Sequence, residues 1–66
     1  MKMSIKALRV NANLNQREAA EKLKITPRTL QNWESYKSFP SGKQLVNICA
    51  VYGCELGDIF LPETLA

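Results

Sequence analysis

A chain of 66 residues has room for one domain and one small core, and it folds with little stability to spare. Its composition, 45 % apolar and 23 % charged, excludes a disordered or low-complexity chain, and its apolar runs are too short to span a membrane. The net charge of +3 is unevenly spread: all nine Lys and Arg lie in residues 1–43, which sum to +6, whereas residues 44–66 carry three acids and no base.

The first predicted helix covers roughly residues 4–12, with Ile5, Leu8 and Ala12 on one stripe and Lys2, Lys6 and Arg9 largely off it. Asn15 and Glu18 then form a capping box, and Leu14 before the cap can staple the entry to a second helix reaching Leu23. Ala19, Ala20 and Leu23 are its inward residues, and the two alanines let another helix approach closely. After the short link Lys24-Ile25, Thr26 caps and Pro27 opens a third helix of residues 27–35. Leu30 and Trp33 form its buried side, which makes core packing the expected role of Trp33, while Arg28, Gln31 and Asn32 fall opposite. Residues 36–40 read as a loop, since Pro40 disfavours helix at Phe39. Ser41 and Gln44 make a second capping box, and Leu45, Ile48, Cys49 and Tyr52 recur at helical spacing up to Gly53, a C-cap. Leu56, Ile59 and Phe60 suggest a short fifth helix ended by Pro62, with a tail strand near Phe60 and Leu61 as the alternative. The pattern predicts an all-α bundle of five short helices, one domain over residues 1–66, with a helix-turn-helix at about residues 16–35.

Cys49 and Cys54 are too few for a disulfide framework, and with no histidine a zinc site lacks ligands. Two reduced structural thiols are expected, with a disulfide as the alternative. Nor is there a nucleophile paired with a base, a Gly-rich phosphate loop or a metal cluster, so no enzyme, cofactor, metal or small-molecule ligand is expected. Thr26, Thr29, Ser38 and Ser41 fit caps and turns. The first residues lack the apolar region of a signal peptide, so no membrane partner and a cytoplasmic location are expected. The polarised charge suits a polyanion at one end and repels it at the other, although a solvated basic face without a ligand fits the charge as well.

The stretch Leu14-Asn15-Gln16-Arg17-Glu18-Ala19-Ala20-Glu21-Lys22-Leu23, followed by Ile25-Thr26, Leu30, Trp33-Glu34, Lys37 and Pro40, resembles the Cro/C1-type (XRE-like) helix-turn-helix family of phage and bacterial transcriptional regulators. The resemblance begins at Ile5-Lys6-Ala7-Leu8-Arg9 and runs through Leu45, Ile48, Tyr52-Gly53 and Leu56-Gly57-Asp58-Ile59-Phe60. It implies a lambda-repressor-like DNA-binding domain and a regulator, most simply a repressor, of double-stranded DNA. Two positions depart from the pattern: Lys24 and Tyr36 stand where glycine is usual.

The resemblance makes residues 27–35 the recognition helix, which would enter the major groove. Arg28 is the leading base contact, because its fork matches guanine O6 and N7; the alternative is a solvated arginine. Asn32, one turn on, suits adenine or a phosphate, and Gln31 is a weaker candidate. Pro27 can at most touch a thymine methyl, and shaping the helix start is its simpler role. Gln16 is expected to hold a phosphate at the start of the second helix, with Asn15 as a cap first and a phosphate neighbour second. Arg17, Lys37 and Lys43 are further phosphate candidates. Lys43 lies in the first turn of its helix, where a cation is disfavoured unless an anion joins it. Arg9 and Glu34 would form a structural ion pair, as the family often does. A homodimer is expected on a partly palindromic site, with half-sites about 34 Å apart. Val51, Leu56, Phe60, Leu61 and Leu65 would form its interface, or simply close the core. The competing function is a protein-interaction module on the same fold, such as an antitoxin or an anti-repressor partner.

Overall fold

The computed structural model describes residues 2–60. Four helices follow in order: α1 (Ile5–Asn11), α2 (Gln16–Leu23), α3 (Pro27–Glu34) and α4 (Gly42–Tyr52). Each starts at a polar cap. The side chains of Ser4, Asn15, Thr26 and Ser41 accept from the backbone N–H groups of Ala7, Glu18, Thr29 and Gln44. Glu18 and Gln44 reach back to the cap N–H groups of Asn15 and Ser41, at 3.0 and 2.8 Å, completing both capping boxes.

The helix ends share one device. Asn13, Lys24, Tyr36 and Gly53, each one or two residues past its helix, have φ of 60°, 59°, 62° and 69°. This left-handed residue lets the next N–H fold back onto a carbonyl five residues earlier, as in a Schellman motif. The bonds run from Leu14 to Arg9 (3.3 Å), Ile25 to Ala20 (3.0 Å), Lys37 to Asn32 (2.9 Å) and Cys54 to Cys49 (3.1 Å). Only the last turn uses glycine, so Lys24 and Tyr36 hold a conformation that costs an L-residue about 1–2 kcal/mol. Tyr36 stacks on Phe39, with ring centroids 6.3 Å apart.

The expected fifth helix is instead a single 3-10 turn, Leu56–Asp58. Gly57 is a poor helix former, and the backbone beyond it is claimed by another partner. Ile59 is extended and pairs in parallel with Met3: Met3 N–H donates to the Asp58 carbonyl at 2.7 Å, and Phe60 N–H to the Met3 carbonyl at 2.8 Å. This single bridge centres on Ile59, one residue before the suggested tail strand, and Leu61 lies outside the described residues.

The core gathers Ile5 and Leu8 of α1, Ala19, Ala20 and Leu23 of α2, Leu30 and Trp33 of α3, Ile48 and Tyr52 of α4, and Ile59. Ala19 and Leu30 are fully buried, so the helices of the motif meet without intervening bulk. Arg9, placed off the α1 stripe by its spacing, is nonetheless buried.

Candidate nucleic-acid interface

Arg9 is buried because Glu34, the last residue of α3, meets it. Arg9 Nε donates to Glu34 Oε2 at 2.7 Å and Nη2 to Oε1 at 3.3 Å, while Nη1 donates to the Leu14 carbonyl at 2.8 Å. The two side chains are 9 % and 5 % exposed. A fork satisfied on three sides ties α1, the entry to α2 and the end of α3 into one frame.

That frame extends to the surface through Gln16, the first residue of α2. Gln16 Nε2 donates to Glu34 Oε1 at 3.0 Å, and Gln16 Oε1 accepts from Gln31 Nε2 at 3.4 Å. A terminal amide nitrogen carries two hydrogens, so the second N–H of Gln16 remains for a ligand. The spacings of 15, 18 and 25 residues hide this chain of contacts from any local pattern in the sequence.

The remaining candidates are spread over the starts of α2 and α4, along α3 and in the turn after α3. On α3, Pro27, Arg28 and Gln31 are exposed and Asn32 is half-buried. Asn15 is exposed, and its Oδ1 is occupied by the Glu18 N–H at 2.8 Å. Arg17, Lys37 and Lys43 are exposed. Among the described residues the only salt bridge is Arg9–Glu34, so these three cations and Arg28 have no carboxylate partner among those residues. The turn ending α3 sets Lys37 against Asn32, through the backbone bond between them. Lys43 is the second residue of α4, near the free N–H groups of its start.

The suggested interface residues separate. Val51 is half-buried and packs against the core. Leu56 and Phe60 are 56 % and 45 % exposed. Leu61 and Leu65 lie outside the described residues. Val10 and Val46, 55 % and 56 % exposed, complete the large apolar groups at the surface among the described residues, and neither lies on a helical stripe.

Tyr52 closes the frame from below. Its Oη is buried and has no hydrogen-bond partner among the described residues. Burial pushes its hydroxyl up to about 12, helped by the Glu34 charge and opposed by Arg9, so the phenol stays neutral beside the ion pair. Among the described residues no helix is long and apolar enough to cross a membrane, and no group of His, Cys, Asp or Glu is placed to hold a metal ion.

A short turn joining two capped helices, with the second held edge-on by a buried ion pair, defines a helix-turn-helix protein. The helix-turn-helix family model HTH_3 matches residues 5–59, and the chain belongs to this Cro/C1-type family of DNA-binding transcription regulators. No curated protein matches the chain significantly.

Proposed function

We propose that this protein binds double-stranded DNA sequence-specifically as a homodimer and represses transcription, with α3 in the major groove. The observation that carries the reading is the placement of Arg28 and Asn32 on the open side of α3, whose other side is locked by Leu30, Trp33 and Glu34. Arg28 reads guanine, and Asn32 reads adenine or holds a phosphate beside Lys37. Gln16 holds a phosphate with its remaining N–H, and Arg17, Lys37 and Lys43 neutralise others. Gln31, tied to Gln16, serves the backbone contact before it serves a base. One such module makes few contacts, and pairing through exposed Leu56 and Phe60 doubles them.

The test is retention of random-sequence duplexes at two salt concentrations, followed by sequencing of what is bound. A short palindromic motif, weakened by salt and lost in Arg28→Ala, is the expected result. Retention without enrichment would reduce the reading to nonspecific binding. The exposed Val10, Val46, Leu56 and Phe60 favour the second reading, a module that binds protein. No DNA retention at either salt concentration would leave that reading standing.

A further inference from the structure

The four helix ends share one backbone turn, and this turn sets the side chain of the residue after the left-handed position against that of the residue five earlier. At the end of α2 the paired residues are Ile25 and Ala20, both apolar. At the end of α3 they are Lys37 and Asn32. At the end of α4 they are Cys54 and Cys49.

The Cys54 N–H donates to the Cys49 carbonyl at 3.1 Å. Covalent geometry on either side of that bond limits the two Cα atoms to about 7 Å or less, the range that a disulfide spans. Both cysteines are free and half-buried, and Cys54 lines a surface cleft with Met3, Asn11, Gly53 and Asp58. An oxidant therefore has a path to Cys54, and the backbone bond holds Cys49 within the Cα range of a disulfide partner.

We infer that Cys49 and Cys54 form a dithiol site that a peroxide closes to an intramolecular disulfide across the end of α4. One thiolate attacks a peroxide oxygen, breaking the O–O bond and giving a sulfenic acid and one water after proton transfer. The second thiolate attacks the sulfenic sulfur and expels another water. The two thiols lose two electrons and two protons, and the peroxide accepts them. Gly53, between the partners, holds the left-handed conformation of the turn, with φ of 69°.

Burial and the Cys49 thiol hold the Cys54 thiol up at about 11. The thiolate is the reacting form, so closure is slow at neutral pH and accelerates as pH rises toward that value. The bond would staple α4 to residues 54–60, which carry the pairing with Met3 and the exposed Leu56 and Phe60.

The experiment treats the purified full chain with hydrogen peroxide at neutral and at mildly alkaline pH. The expected product is a monomer lighter by about 2 Da, formed faster at the higher pH. Cleavage after Tyr52, between the cysteines, should leave fragments joined until a reductant is added. Closure of even a short ring is expected to raise the melting temperature by several degrees. Cys49→Ser should lose the 2 Da product and stop at an oxygen adduct. Oxygen adducts alone on the parent chain, disulfide-linked dimers, no reaction, or the same mass loss in Cys49→Ser would each overturn the inference.

Discussion

The end of α3 and the end of α4 are built on the same backbone turn but held by different means. At α3, Glu34 is fixed by Arg9 and Gln16, and the left-handed position carries Tyr36, a strained residue stacked on Phe39. At α4, glycine takes the left-handed position without strain, and no charge assists. An apolar anchor resists displacement but not rotation, whereas a forked ion pair also fixes orientation. In the proposed function α3 presents its open face to DNA, and it is this helix, not α4, that carries the directional anchor.

The most severe way to break this contrast is Glu34→Ala. It leaves Arg9 charged and buried, which costs about 3–5 kcal/mol, enough to unfold much of a domain this small. Thermal melts should show the loss, and an unchanged melting temperature would refute a frame built on the pair. Arg28→Ala should leave melting unchanged and weaken binding to the preferred sequence by about 1–3 kcal/mol, with relaxed choice at one base position. A sequence preference identical to the parent would remove Arg28 from base reading.

The phenol of Tyr52 sharpens the comparison from the α4 side. Its folded value near 12 stands above the ordinary 10, so the folded state keeps a proton that the unfolded chain has released. Stability from this group is whole below pH 10 and falls as pH rises from 10 to about 12. Denaturant midpoints across that range should decline in the parent and flatten in Tyr52→Phe. A parallel decline in both would assign the loss to other groups.

Lys24→Gly tests the strained turns directly. Relief of the left-handed conformation, less the entropy of a glycine in the unfolded chain, should stabilise the fold by about 0.5–1 kcal/mol. Tyr36→Gly should gain less, since it also removes the stack on Phe39. An equal gain at both sites would show that the stack contributes nothing. An effect of similar size concerns Gln16 and Gln31. If Gln31 acts by holding Gln16, Gln31→Ala should weaken binding to all sequences alike, by about 0.5–1 kcal/mol, and do nothing further in a Gln16→Ala background. Additive losses, or a shift in the preferred sequence, would make Gln31 an independent base contact.

The sequence by itself determined where three of the four helices begin, because Asn15, Thr26 and Ser41 act within a single turn, while it placed the start of the first only approximately and the structure shows Ser4 as its cap. It also determined the buried side of α3 and, by opposition, its open side with Arg28, Gln31 and Asn32. The pairing of Arg9 with Glu34 was legible only through family resemblance, since spacing alone set Arg9 off its helix stripe. Tertiary structure decided what depends on segments distant in the chain. It made Gln16 a link between the ion pair and Gln31, left Tyr52 Oη without a partner among the described residues, and drew Ile59 into pairing with Met3 so that the last turn stops at three residues. Caps and stripes are read from neighbours four residues away. A side chain's final partner depends on which helices the core brings together, and no local pattern contains that.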